Sequence, residues 1–127
     1  MSVPVDLSGL RDEVDRYGLE PYLITVSDDG RPHAVAVAVV WDGELMSTGA
    51  GSRTASNVAD RPAVSLLWPP VDDGGYSLIV DGRAHSDPNG GRILVEPVKA
   101  VLHRRRAGGQ GSDCVTVLAS PNAAPAS

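Results

Sequence analysis

The residues best suited to chemistry lie in a glycine-rich stretch, TGAGSRTASNV, which spans residues 48–58. Its small residues lead into Ser52, Arg53 and a short helical pattern, which the Arg61-Pro62 step should end because a residue before proline avoids the α conformation. A helix that begins here offers free backbone N–H groups and the positive end of its dipole, and Arg53 adds a full charge. This combination suits a phosphate group, although an ordinary turn with Ser52 as N-cap gives the same pattern. The Gly-Lys-Ser/Thr ending of a Walker loop is missing.

The other reactive residue types form no recognisable catalytic or metal-binding pattern. His33, His85 and His103 fall on three different predicted strands, and no two of them have helical metal-ligand spacing. Cys114, the single cysteine, has no base adjacent in sequence, and no G-x-S-x-G segment is present. The run Arg104–Arg106 could meet an anion, but a solvated charge run is its ordinary role. These patterns therefore favour structural or surface roles for the residues over metal binding or catalysis.

Two apolar features could contact a flat ligand. In residues 34–40 alanines alternate with valines, so neither face of the predicted strand is polar. Such a strand needs a core on one face and either a second packing layer or a ligand on the other, and the alanine face leaves room for a close neighbour. Trp41 and Trp68 each end a predicted strand, where packing is the ordinary role of an indole. Trp68 is the ligand candidate of the two because it follows the helix-bearing loop.

The elements that must position these residues are mainly strands. Residues 6–17 form an amphipathic helical pattern that Asp6 or Ser8 can cap and Gly18 can end. Six segments bounded by turn residues are predicted as strands, at 22–27, 33–41, 44–48, 63–68, 76–86 and 92–104. With a short helix at about residues 53–60, they predict a mainly β fold, a six-stranded antiparallel barrel. The apolar phase of the last strand slips at Pro97, which predicts a bend or bulge there.

Length and composition bound the fold and its partners. The 127 residues fit one domain, assigned to residues 1–106 with the barrel at about 21–105, whereas the Gly-, Ala-, Pro- and Ser-rich residues 107–127 predict a flexible tail. A net charge of −5 disfavours a nucleic-acid partner. No apolar run reaches the roughly 20 residues of a membrane span, and the N-terminal residues lack a signal-peptide pattern. With a single cysteine, these features favour a cytoplasmic protein that binds neither nucleic acid nor membrane.

The order of these elements resembles a known family. A strand followed by DGRPHAVAV, a tight hairpin and TGAGSRTASNVADRPAVSLLW is similar to the pyridoxamine 5′-phosphate oxidase-like family of flavin-binding split barrels. The segment EPVKAVLHR is similar to that family's last barrel strand, so the resemblance covers about residues 6–105. It implies a six-stranded split β-barrel that forms a homodimer, with a flavin in each of two clefts at the subunit interface.

The resemblance also implies which residues bind the cofactor. The loop corresponding to residues 49–57 holds the cofactor phosphate in such proteins, and the strand corresponding to His33–Val37 passes beside the flavin ring. With Trp68 added as the aromatic candidate, the implied cofactor-binding residues are Ser52, Arg53, Thr54, Ser56, Asn57, His33, Val35, Ala36, Val37 and Trp68.

One departure from the family bears on the identity of the cofactor. Many relatives carry a lysine or an arginine where this chain has Thr54 and Ser56, so the hydroxyls here supply hydrogen bonds but no charge. Arg53, helped by Arg31, Arg61 or an arginine of the partner chain, would have to compensate. The deazaflavin coenzyme F-420 is therefore an alternative to FMN.

The resemblance predicts a flavin- or deazaflavin-dependent oxidoreductase that acts on an unidentified small molecule. No residue is an obvious proton donor, so no catalytic residue is assigned. Two alternatives stay open, namely a non-catalytic dimeric flavin-binding module for storage or sensing and a split-barrel scaffold that has lost its cofactor.

Overall fold

The computed structural model describes residues 1–105, which form two α-helices and eight β-strands. The predicted tail, together with Arg106 and Cys114, lies outside these residues. In chain order the elements are β1 (Ser2–Val5), α1 (Leu10–Tyr17), β2 (Tyr22–Val26), β3 (Pro32–Ala36), β4 (Val39–Asp42), β5 (Leu45–Thr48), α2 (Ser52–Asp60), β6 (Ala63–Trp68), β7 (Ser77–Ser86) and β8 (Ile93–His103).

The strands form one antiparallel sheet that curls into a half-barrel. Seven of them follow the order β3-β2-β6-β7-β8-β5-β4, and β1 pairs with β8 beside this path. The two edge strands, β3 and β4, are joined by Val37 and Ala38 alone, so the two edges of the sheet must lie close together. Backbone bonds from Val37 N–H to the Pro21 carbonyl (3.0 Å) and from Val39 N–H to the Leu19 carbonyl (2.8 Å) hold this crossing. The predicted mainly β split barrel is confirmed.

The number of strands on the main path is seven rather than the predicted six. The single strand predicted at residues 33–41 is broken at Val37 and Ala38, because these residues cross from one edge of the sheet to the other. The strand β1 is an additional element, which pairs with the end of β8 from Ser2 opposite His103 to Val5 opposite Ala100.

The bend predicted near Pro97 is confirmed as a β-bulge between β7 and β8. Asp81 pairs with Lys99 and Gly82 pairs with Pro97, so Val98 is the extra residue on β8. Gly82 is required at this point because a Cβ atom there would lie 2.7 Å from the Glu96 carbonyl oxygen.

The two helices pack against the sheet and differ in how they begin. The predicted N-terminal helix is a short 3₁₀ turn, capped by Asp6 through the Ser8 N–H, followed by α1, which ends at Gly18 with φ +99°. The helix α2 begins at Ser52, and its N-cap is Gly51 with no side-chain cap. The prediction that Ser52 is the N-cap is therefore wrong, because Gly51 already has the extended conformation (φ −73°, ψ 173°) of a cap residue.

The hydrophobic core lies between the inner face of the sheet and the two helices. Cross-strand neighbours Leu23, Leu66, Val80 and Ala100 form one fully buried row across four strands. The first helix adds Leu10 and Val14, and α2 adds Val58. Neither α-helix within residues 1–105 has the length and apolar character needed to cross a bilayer.

Candidate functional site

A cleft of about 680 Å³ runs along β3 and reaches the start of α2. Its volume lies in the range of small-molecule and cofactor sites, about 300–1,000 Å³. Its walls are built from β3 and the crossing to β4, from the glycine-rich loop, and from the residue before β8. The lining residues are His33, Val35, Ala36, Val37, Ala38, Val40, Thr48, Gly49, Ala50, Gly51, Ser52, Arg53, Thr54 and Arg92.

One end of this cleft is the open N-terminus of α2. The first bond of the helix runs from the Ala55 N–H to the Gly51 carbonyl (3.0 Å), so the N–H groups of Ser52, Arg53 and Thr54 have no acceptor among residues 1–105. The first turn contains no acidic residue, and Arg53 forms no ion pair within the described part of the chain. Free N–H groups, a positive dipole end and an unpaired guanidinium attract an anion such as phosphate.

The wall along β3 is apolar and largely uncovered. Val35 and Val37 are half-buried, whereas Ala36, Ala38 and Val40 are exposed, Val40 by 51%. The prediction that neither face of this segment is polar therefore describes the cleft wall, where small alanine side chains leave space for a flat group. The described residues of the same chain supply no second packing layer over it.

Arg92 is a charged residue of this cleft that sequence reasoning missed. Its Nε donates to the Ser47 hydroxyl (2.6 Å) and its Nη2 donates to the Ser47 carbonyl (3.1 Å). The position follows from the pairing of β5 with β8, in which Thr48 lies opposite Ile93. Arg92 lies about forty residues beyond the loop in sequence, and only its position at the start of the strand predicted at residues 92–104 could have drawn attention to it.

A second, more polar cleft of about 760 Å³ adjoins the first on the other side of the α2 N-terminus. The two clefts share His33, Ser52 and Arg53. The second is lined by Ser27, Asp28, Asp29, Arg31, Pro32, His33, Ser52, Arg53, Ser56 and Asn57.

Apart from Arg53, the charged residues of this second cleft already form ion pairs. Arg31 lies 3.4 Å from Asp29, and Arg61 contacts Asp28 (2.6 Å) and donates to the Val26 carbonyl (2.8 Å). A hydrogen bond from the Ser27 hydroxyl, with a second from the Arg31 N–H, lowers the pKa of Asp29 below its ordinary value of 3.8. The two arginines expected to help Arg53 therefore already neutralise carboxylates.

The structure brings nine of the ten predicted cofactor-binding residues to these two clefts. Seven line the first cleft, and Ser56 and Asn57 line the second. Asn57 is buried, and its side chain already forms a hydrogen bond within the protein, because its Nδ2 donates to the Thr25 hydroxyl (3.0 Å). His33 lies at the junction of the clefts, and its buried Nδ1 has no hydrogen-bond partner among residues 1–105.

Trp68 is the predicted residue that the structure places elsewhere. It is 2% exposed, and its ring Nε1 donates to the Gly18 carbonyl at 2.8 Å. The alternation along β6 puts Trp68 on the same inward face as Val64 and Leu66, so the indole belongs to the core and lines neither cleft. Trp41 is also packed against the core, under the guanidinium of Arg11, whose central carbon lies 4.5 Å from the ring centroid.

A wider depression of about 990 Å³ lies at another part of the surface, beside the loop of residues 70–75. Arg104 and Arg105 form part of its wall, and the described residues end there. It contains none of the residues that the sequence singled out for cofactor binding. The cleft along β3 is therefore the candidate site.

Comparison with known proteins identifies similar sequences and folds. Residues 22–105 match the sequence model of the family described as pyridoxamine 5′-phosphate oxidase. An uncharacterized protein of Mycobacterium bovis is 44% identical over 118 aligned residues, covering 81% of this chain and 82% of the relative. A protein of Mycobacterium tuberculosis gives the same values.

Two solved structures illustrate the range of ligands among proteins of similar fold. The FAD-binding protein from Mycobacterium smegmatis has a TM-score of 0.60 at 15% identity, covering 84% of this chain and all of that chain (100%). The heme storage protein HutZ from Vibrio cholerae has a TM-score of 0.55 at 15% identity, covering 79% of this chain and 96% of that chain. At these identities the similarity concerns the fold.

Proposed function

The chain belongs to the pyridoxamine 5′-phosphate oxidase family, and on that premise we propose that it is a flavin-dependent oxidoreductase acting on a small molecule. FMN is the first candidate cofactor, and the deazaflavin coenzyme F-420 is the alternative. The cofactor supplies the redox chemistry, while the protein supplies binding, orientation and a cleft for the substrate. A cytoplasmic location belongs to the same proposal, supported by the single cysteine, which allows no intrachain disulfide.

The observation that carries the proposal is the uncapped start of α2, which opens into a cleft with an apolar wall. Three free N–H groups and Arg53 would bind the phosphate, and the Ser52 hydroxyl can donate a further hydrogen bond. The segment Val35–Val40 would lie along the flat ring, where only alanine and valine side chains face it. A ligand that is anionic at one end and flat and apolar along its length fits both features together.

We include a homodimer in the proposal, and two features of the sheet support it. The wall along β3 is open to solvent, as the site would be if a second chain completed it. A row of apolar side chains also crosses the outer face of the sheet, running through six strands by direct cross-strand pairing. Its members are Ala36, Tyr22, Leu67, Ile79, Val101 and Pro4.

This outer row supports a homodimer because a continuous apolar stripe on a sheet is normally covered by another surface. Tyr22 is 44% exposed in the single chain, while its neighbours in the row are half-buried or exposed. We expect Tyr22→Glu to shift the protein from dimer to monomer in light-scattering measurements. A monomeric parent protein would contradict the dimer, whereas a variant that stays dimeric would exclude this row as the interface.

The first experiment is a visible absorption spectrum of the purified protein, followed by titration with FMN and with F-420. Saturable binding of either cofactor supports the proposal. If neither cofactor binds, the remaining hypothesis is a split-barrel scaffold that has lost its cofactor. Titration with haem tests the ligand suggested by the HutZ fold. Bleaching of the bound cofactor by a reduced nicotinamide, or by a deazaflavin-reducing system, would separate an enzyme from a storage module.

The second experiment removes the charge at the phosphate end of the cleft. Arg53→Ala should weaken cofactor binding by about 1.5–3 kcal/mol, the contribution of a hydrogen bond to a charged group. Arg83→Ala is the matched control, since Arg83 is an exposed arginine on the outer face of β7. Unchanged affinity in Arg53→Ala would mean that the loop is only a turn.

A further inference from the structure

Arg92 carries a charge that the described residues do not neutralise. Its side chain is half-buried, and it forms no ion pair within residues 1–105. A charged group that loses solvent is normally paired with an opposite charge, because desolvation is costly. Ser47 provides only a hydroxyl and a carbonyl oxygen, both of which are neutral.

The two bonds to Ser47 orient the guanidinium and leave one nitrogen available. Nε and Nη2 are used by Ser47, and Nη1 lies on the side of the glycine-rich loop. A Cβ atom added to Gly49 would be 3.9 Å from Nη1, so this nitrogen lies against the loop that leads into α2. The tether fixes a flexible side chain before any ligand arrives, which lowers the entropic cost of binding.

The residues around the cleft carry an excess positive charge that one anion of about two negative charges could neutralise. Arg31 and Arg61 already contact Asp29 and Asp28, so they contribute little net charge. Arg53 and Arg92 form no ion pair within the described residues, although Asp29 interacts electrostatically with Arg53, and the helix dipole adds about half a charge. A phosphate monoester carries about −1.5 to −2 at neutral pH, which these positive charges are sufficient to neutralise.

We propose that Arg92 is a second phosphate-binding arginine of the cofactor cleft, opposite Arg53 across the glycine-rich loop. This inference rests on the proposed function, since the phosphate belongs to the proposed cofactor. It supplies the charge that the hydroxyls of Thr54 and Ser56 do not provide. Ser47 is then a positioning residue that holds the guanidinium toward the loop.

The test compares FMN with riboflavin, which has the same ring and no phosphate, as ligands of the parent protein and of Arg92→Gln. FMN binding should weaken about 10- to 150-fold in the variant. Riboflavin binding should stay the same, because the lost contact is to the phosphate. Arg92→Lys should restore part of the FMN affinity, since it keeps the charge but not the bonding pattern to Ser47.

The remaining variants separate a binding role from a structural one. Ser47→Ala should weaken FMN binding less than Arg92→Gln, because the charge stays and only its tether is lost. Arg83→Gln should leave both affinities unchanged. Denaturant unfolding without ligand shows whether Arg92→Gln is folded, and Arg92→Lys provides the same readout with the charge retained.

Each outcome has a distinct meaning. Equal weakening of FMN and riboflavin in Arg92→Gln would place the contact at the ring and overturn the inference. Unchanged FMN affinity in both Arg92 variants would overturn it as well. If the parent protein binds FMN and riboflavin equally well, no phosphate contact exists and the inference fails even though flavin binding stands. If it binds no flavin or deazaflavin, the proposed function itself fails.

Discussion

Arg53 and Arg92 flank the same loop, but they reach the cleft by different routes. Arg53 is the second residue of α2 and follows Gly51 directly in sequence, so local backbone conformation places it there. Arg92 comes from the segment before β8 and is held against the loop by Ser47 on β5. One arginine is exposed, whereas the other is half-buried and already oriented by Ser47.

This difference separates a residue position that the local sequence determines from one that strand pairing determines. The start of α2 is recognisable because a glycine-rich turn, a helical pattern and a following proline lie within one short stretch. Arg92 acquires its role only because β8 pairs with β5, an association of distant segments. A binding site assembled from both sources combines an accessible charge with a preorganised one.

The largest loss of FMN affinity should come from removing the charges of Arg53 and Arg92 together. If the two contributions are independent, Arg53→Gln combined with Arg92→Gln should weaken FMN binding by about 3–6 kcal/mol, twice the value of one charged hydrogen bond. If both arginines contact one phosphate, the double variant should depart from the sum of the single variants by about 0.5–3 kcal/mol. Titration of the two single variants and the double variant measures this coupling. Simple additivity would place the arginines on separate parts of the ligand.

Much of the fold could be predicted because its signals are local. The turn residues, the alternating strands and the Pro97 phase slip predicted an antiparallel barrel with a bulge, and both are present. The break in the strand at residues 33–41 could not be predicted, because Val37 and Ala38 look like any other pair in the alternation. It results from the need to join the two edges of one curled sheet, which is a property of the whole sheet.

The strand β8, which follows Arg92, is also paired with β7, and this second pairing can be strained at one residue of the bulge. Gly82→Ala should destabilise the protein by about 1–3 kcal/mol, the usual cost of overpacking, because the new Cβ would lie 2.7 Å from the Glu96 carbonyl oxygen and 2.8 Å from Val95 Cγ1. Denaturant unfolding measures the change. Gly49→Ala is the control, since its Cβ would meet only Arg92 at an ordinary 3.9 Å. Equal stability of the two variants would show that the bulge absorbs the methyl group.

The helix α2, which carries Arg53, is held to β2 by a hydrogen bond from Asn57. Asn57→Ala removes the bond to the Thr25 hydroxyl, and both residues are buried, with 4% and 0% exposure. We expect a loss of about 1–3 kcal/mol of unfolding free energy, because a buried hydroxyl is left with one fewer partner. Ser56→Ala, at an exposed neighbouring position, should stay within about 0.5 kcal/mol of the parent protein. A small effect at Asn57 would mean that water or a rotated hydroxyl replaces the bond.

The site was harder to predict than the fold, and the two kinds of error have physical causes. Trp68 looked like a ligand residue because it follows α2 in sequence, but strand alternation turns it into the core. Arg92 was not singled out as a site residue, because its partner Ser47 is distant in sequence. The contact that decides the position of Arg92 joins segments that only the sheet brings together, whereas the inward direction of Trp68 follows from the alternation along β6.

The smallest predicted effect is a difference in stability between substitutions of the two tryptophans. Trp68→Phe and Trp41→Phe both trim a ring packed against the core, but only Trp68 donates a hydrogen bond, to the Gly18 carbonyl. Trp68→Phe should therefore cost about 0.5–1.5 kcal/mol more stability than Trp41→Phe, the net value of one hydrogen bond. Neither substitution should change FMN affinity, because neither indole lines the cleft along β3. Weaker FMN binding in Trp68→Phe, at a concentration of denaturant where both variants are folded, would contradict this. It would mean that a change in core packing around β6 alters the conformation of the loop before α2.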